Sequence, residues 1–214
     1  GFVITRDGVV VFDTLGTPAL ARRMIGEIRK LTKQPIRRVI VSHWHADHYY
    51  GLQEFKKLGA EIWAHAAAKP VLGSDAAADR LAQRRDILGP WIEDFAVVPA
   101  DVWLSGDTAF KLGGLPFRIR HVGPANSPED IVMFVVEDGV LFSGDLVFKG
   151  RVPFVGDADS QAWLAALDRL LAFKPRTMVP GHGPASKTPR DDLTLTRDYL
   201  ADLRLKMGQA VADF

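Results

Sequence analysis

The chain contains no cysteine. Disulfides and thiolate metal ligands are therefore excluded, and any metal site has to be assembled from nitrogen and oxygen donors. It has no apolar run long enough to span a bilayer, so no membrane partner is expected. It also lacks a charge imbalance: 27 Lys and Arg stand against 26 Asp and Glu, for a formal net charge of +1. That balance offers no electrostatic footprint for nucleic acid or an anionic surface. Linkers, low-complexity tracts and short-period repeats are missing as well. Nor does the sequence begin with Met. Gly1 leads straight into Phe2-Val3-Ile4, so the natural N-terminus is expected to lie upstream, and a signal peptide has room there.

What is present suits one well-buried unit. The 214 residues are 47% hydrophobic and 25% charged, ordinary for a globular protein, and they are read as a single domain over 1–214. Phe2–Thr5 and Val9–Phe12 flank Arg6-Asp7-Gly8, a hairpin signal. Thr17-Pro18 opens a helix carrying Leu20, Met24, Ile25, Ile28 and Leu31. A strand over 38–42, a short helix over 54–58 and a strand over 61–64 follow. This alternation argues for an α/β sheet covered by helices. Residues 66–94 read as one or two surface helices broken near Gly89-Pro90. Strands are expected over 102–104, 108–112, 116–122, 131–136 and 140–142, the last two joined through Glu137-Asp138-Gly139. Ser160 is expected to cap a helix bearing Trp163, Leu164, Leu167 and Leu170. A strand over 177–179 precedes a terminal helix with Leu200, Leu203, Met207 and Val211 facing inward.

The densest chemistry lies in His43-Trp44-His45-Ala46-Asp47-His48, directly after the apolar strand. Three of the chain's six histidines and a carboxylate fall within six residues. A lone histidine after a strand is ordinarily a polar loop residue. Four ligand-type side chains in one loop would crowd titratable groups and, once protonated, repel one another; a cation resolves that. Three later segments share a form in which a strand is expected to end, glycine follows and a ligand-type residue appears: His121-Val122-Gly123-Pro124-Ala125-Asn126, Phe142-Ser143-Gly144-Asp145, and Val179-Pro180-Gly181-His182-Gly183. Strand ends on one edge of a sheet gather such loops in one place.

On Asp13, the His43–His48 motif, Asp145 in Ser-Gly-Asp and His182 in Pro-Gly-His-Gly, taken in this order, the chain resembles the metallo-β-lactamase superfamily. The resemblance implies an α/β fold, a four-layer αβ/βα sandwich with a two-metal site on one edge, and is nearest to bacterial members outside the antibiotic-resistance enzymes. It implies that His43 and His45 bind one metal and that Asp47, His48 and His182 bind the second. Asp145 would bridge the two, and Asp13 would support the metal loop from behind. The third histidine of the first site is replaced by Asn126, whose neutral amide oxygen is a weak ligand or a lost one. The second site is therefore expected to bind more tightly, with zinc at one or two ions per chain and iron as the alternative metal. His121 lies in or at the end of a strand, so its reach toward the site is short; it and His65 are expected at the rim, as surface or supporting residues.

The resemblance further implies hydrolysis of an ester, thioester, lactone or lactam-type bond through a metal-bound hydroxide, with Asp47 and Asp145 as the catalytic carboxylates. Two alternatives stand beside it: oxidation of persulfides at a mononuclear iron held by His43, His45 and Asp145, and a metal-binding protein whose catalysis has lapsed. A small-molecule substrate is expected, with Trp44, Tyr49, Tyr50, Trp91, Phe148 and Phe154 as candidates to line its pocket and Lys149 and Arg151 to meet a carboxylate. The compartment would be a bacterial cytoplasm or periplasm.

Overall fold

The fold was analysed in a computed structural model, which describes residues 1–72, 74, 79–80, 82–83, 87, 89 and 94–212. Five strands form the first sheet in the order β1 (Phe2–Thr5), β2 (Gly8–Phe12), β3 (Ile36–Ile40), β4 (Glu61–His65) and β5 (Val102–Leu104). The β1–β2 pair is an antiparallel hairpin, and β2 to β5 run parallel. The second sheet runs β10 (Thr177–His182), β9 (Val140–Phe148), β8 (Ile131–Val135), β7 (Leu115–His121) and β6 (Thr108–Leu112). It is antiparallel except for the β9–β10 pair.

The two sheets pack face to face. Val10, Phe12 and Ile40 of the first meet Phe117, Ile119, Met133 and Phe142 of the second in one apolar layer. Helices cover the outer faces. Helix α1 (Pro18–Leu31) and α3 (Leu52–Lys56) lie on the first sheet, burying Ala21, Ile28, Leu52 and Phe55 against Val9, Val11 and Ile62. Helices α5 (Ser160–Ala172) and α6 (Pro189–Ala212) cover the second through Trp163, Leu167, Leu170, Leu193 and Leu200. The result is the four-layer αβ/βα sandwich. Both β2 and β8 are buried at every position, which is why each is an unbroken apolar run and not an alternating one. No helix among the described residues is long and apolar enough to cross a membrane.

Thr17 caps α1 by accepting the N–H of Leu20, with Pro18 at the first helical position. Other expectations need correction. Asp159, not Ser160, caps α5: its carboxylate accepts the N–H groups of Gln161 and Ala162, and Ser160 is the first helical residue. The expected inward stripe on the terminal helix ends early. Leu200 is buried, but Met207 and Val211 are 60% and 74% exposed, since no residue of α6 past Leu200 is buried against a neighbouring element. Strands β9 and β10 continue well past 142 and 179, so Asp145 and His182 sit inside strands and not in loops after them. The segment 66–94 contains a 3₁₀ turn at Ala66–Ala68 and α4 (Lys69–Leu72). The break expected at Pro90, and Trp91, lie outside the described residues.

Candidate metal centre

The carboxyl ends of β2, β3, β9 and β10 bring the predicted residues to one edge of the sandwich. After β3 the chain turns through Ser42 and His43 into the short helix α2 (Ala46–Tyr49), which carries Asp47 and His48. The turn is pinned from the second sheet, since Ser42 accepts the N–H of Ile131 at 3.0 Å. It is pinned again by Thr14, whose N–H and hydroxyl both donate to the His48 carbonyl.

Two groups of three donors result. One is His43, His45 and Asp145; the other is Asp47, His48 and His182; within each, the ligand atoms lie within 4.8 Å of one another. In the first, Nε2 of His43 faces Nδ1 of His45 at 2.9 Å, and Asp145 Oδ2 is 3.7 Å from His43 Nε2. In the second, His182 Nε2 lies 3.1 Å and His48 Nε2 3.5 Å from Asp47 Oδ2. Asp145 reaches across both, with Oδ1 3.1 Å from His48 Nε2 and Oδ2 3.3 Å from His182 Nε2. The rings are oriented from behind. Asp13 Oδ2 is 2.8 Å from Nδ1 of His48, and its two oxygens also accept the Ser42 N–H and hydroxyl. The Ser42 hydroxyl is in turn 2.9 Å from Nδ1 of His43. Such partners fix tautomer and ring angle in histidines that bind metal.

The electrostatics show what these side chains do without a cation. Burial, then the neighbouring His48, holds His43 well below the usual imidazole range. Burial opposes charge on His48, but Asp13, Asp145 and Asp47 outweigh it and raise that imidazole well above the range. Donation to the carboxylates of Asp145 and Asp47 pushes His182 up to about 9. Asp47 and Asp145 are both held low: burial opposes this, but the adjacent imidazoles of His182 and His48 prevail. Protons thus occupy the place where positive charge is wanted. Nε2 of His48 and Oδ1 of Asp145 are nevertheless buried without a hydrogen-bond partner, as are Nε2 of His45 and Oδ1 of Asn126. Orphaned buried donors of this type, all nitrogen and oxygen, fit a divalent cation.

Asn126 is fully buried, and its Nδ2 donates to the Phe154 carbonyl at 2.9 Å, leaving Oδ1 unpaired. The structure does not bring His121 or His65 into either donor group. The two stack on each other instead, ring centroids 3.8 Å apart, where β4 and β7 end on opposite sheets. Lys149 is ion-paired with Asp192 at 2.8 Å. Arg151 borders the site, its Nη1 3.4 Å from Nδ1 of His182.

The donors open into a cleft of about 580 Å³. Trp44, Tyr49, Tyr50, Phe148 and Phe154 line it, and Arg80 and Arg151 supply positive charge. The Arg80 guanidinium lies 3.9 Å over the Trp44 ring. Three contributors escaped the sequence reading. Glu129 accepts the Trp44 N–H at 2.7 Å, between His43 and His45, and burial pushes its carboxyl up to about 7. Asp157 approaches His45, with Oδ2 3.4 Å from Nε2. Arg80 arrives from the chain beyond α4. Adjacent acids at Glu129-Asp130 just before an apolar strand were a usable signal for the first; nothing in local spacing marked the other two.

Residues 1–182 match the family model described as the metallo-beta-lactamase superfamily. The linear primary-alkylsulfatase of Pseudomonas sp. (strain ATCC 19151) is 28% identical over 233 residues, covering 91% of this chain but 44% of that protein. The chain thus spans less than half of that relative's length. The probable metallo-hydrolase YqgX of Bacillus subtilis (strain 168) is 28% identical over 189 residues, 86% of this chain and 83% of that one. Among solved structures, a metallo-beta-lactamase from Pontibacter korlensis superposes with a TM-score of 0.74 at 24% identity, over 94% of this chain and 85% of that chain.

Proposed function

Because the chain belongs to the metallo-beta-lactamase superfamily, we propose that it is a zinc-dependent hydrolase of an ester, thioester, lactone or lactam-type bond in a small organic substrate. At the level of the family, its relatives support a metal-dependent hydrolase. The metal and the bond cleaved are our reading. One observation carries it: two three-donor groups joined through Asp145 at the floor of an open cleft.

His43, His45 and Asp145 would hold one ion, and Asp47, His48 and His182 the other, with Asp145 serving both. Ions of this kind lower the pKa of water from about 15.7 to about 7 and polarise a substrate carbonyl. The protein's part is positioning and proton handling. Asp13 and Ser42 keep the imidazoles at fixed angles. Asp47, half exposed on the cleft side, is placed to take the proton of the attacking water and return it to the leaving group. Arg151 and Arg80 offer an anionic part of the substrate two guanidinium partners, and the aromatic side chains cover its apolar part. This charge pattern extends the reading to sulfate esters, the bond implied by the name of the Pseudomonas relative.

Zinc-loaded protein tested against matched carboxylic esters, thioesters, lactones, lactams and alkyl sulfates should turn over at least one class. No turnover of any class would leave the lapsed-enzyme alternative. Iron in the purified chain, together with oxygen consumption on a persulfide, would favour the oxidative one.

A further inference from the structure

We infer that Asp157 is a positioning residue for His45 and restores to the first metal site part of what Asn126 takes away. This rests on reading the site as a two-metal centre. The imidazole of His45 turns Nδ1 toward Nε2 of His43, so Nδ1 is the edge that would face a metal, and with a metal there Nε2 would carry the proton on the opposite edge. That Nε2 is buried and has no hydrogen-bond partner. The Asp157 carboxylate lies 3.4 Å from it, too far off line for a hydrogen bond in this arrangement but within reach of a small ring rotation. Each of the other two histidines in the motif already has a partner behind it, Ser42 for His43 and Asp13 for His48. Asp157 completes the set. A carboxylate behind an imidazole fixes its tautomer and makes the opposite nitrogen a better donor, which matters most where a neutral amide stands in for a third histidine.

The placement of Asp157 has a further consequence. The short segment from Phe154 to Asp157 touches both weak points of the first site. The Phe154 carbonyl accepts from Asn126 Nδ2, and the Phe154 ring packs edge-on to His45 with centroids 5.6 Å apart. Three residues on, Asp157 meets the far edge of the same imidazole. The chain then continues to Asp159, whose N–H donates to the carbonyl of Ala125. One stretch of backbone therefore holds Asn126 and His45 together. The second site, built from Asp47, His48 and His182, has no contact with it of this kind among the described residues.

Cobalt(II) titration of the metal-free full chain, followed by its visible absorption, tests this. The parent should take up two ions in a tight and a weaker step. Asp157→Asn and Asp157→Ala should weaken the weaker step by about 10–100-fold and leave the tight step where it was. The thermal midpoint of the metal-free protein should not move, because the Asp157 side chain is 51% exposed. An unchanged weaker step in Asp157→Ala, equal weakening of both steps, or a parent that binds one ion only would each overturn the inference. A chain that titrates as described but hydrolyses nothing would refute the proposed function and leave this inference standing. An active chain whose variant titrates like the parent would do the reverse.

Discussion

Gly181 lies directly against the carboxylate of Asp145, so that a Cβ at position 181 would collide with Oδ1 and with the carbonyl group of Gly144. The contact joins β10 to β9 at the point where their register shifts. Glycine at 181 answers to close approach, whereas Gly144, with φ at 53°, answers to backbone conformation. Gly181→Ala is expected to displace Asp145 and lower metal content at both sites together, since Asp145 faces both. Metal analysis by mass spectrometry would show it; an alanine variant with the parent's metal content would contradict the packing described.

Glu129 holds the His43–His48 segment through the N–H of Trp44. Glu129→Ala removes the acceptor and should destabilise the protein by about 1–3 kcal/mol, the usual cost of an unpaired polar group, in both metal-free and metal-loaded forms. Glu129→Gln keeps an acceptor and should lose less. Chemical denaturation of the two variants checks the order.

Metal uptake should release protons. His182 holds its proton up to about pH 9 in the metal-free site because Asp145 and Asp47 stabilise the cation. A metal at this nitrogen must displace that proton, and His48 in the same group is likewise held protonated, so apparent affinity should rise with pH through neutrality. Calorimetric titration at pH 7 in buffers of different ionisation enthalpy would reveal the release; heats independent of the buffer would contradict it.

The stacked pair of His65 and His121 predicts an acid-sensitive stability. Burial, then the adjacent His121, lowers His65 to about 4, against an ordinary value of 6.5. The folded state therefore prefers neutral His65. Its contribution is complete above pH 6.5 and is lost as pH falls from there through 4. His65→Phe should keep the stack and flatten that part of the stability profile. Denaturation measured across pH 4–7 tests this, and an unchanged slope would remove His65 from the account.

Much of the site was legible because its residues are adjacent in sequence. His43, His45, Asp47 and His48 stand out as ligand-type residues through density alone, and the glycines beside Asp145 and His182 mark close approach of backbone, though within strands and not in loops after them. Thr17-Pro18 carries its own cap chemistry, and the unbroken apolar runs of β2 and β8 reflect burial on both faces. Other features depend on partners remote in sequence. Asp157 matters only because β3 delivers His45 to the same edge, and Asp159 won the cap over Ser160 through backbone geometry that residue preference does not resolve. The stripe of Met207 and Val211 has helical spacing, but spacing cannot say where the buried face of a helix stops. His121 read as a rim residue, yet its partner His65 comes from the opposite sheet.

The most direct test of the central claim is hydrolysis measured through a cycle of metal removal and return, with metal counted per chain at each stage. Exhaustive chelation should abolish activity, the first zinc should fill the site at Asp47, His48 and His182, and activity should return as zinc is added back. Activity indifferent to complete chelation would contradict the claim, and equal filling of both sites in unsupplemented protein would contradict the weakness assigned to the site at Asn126.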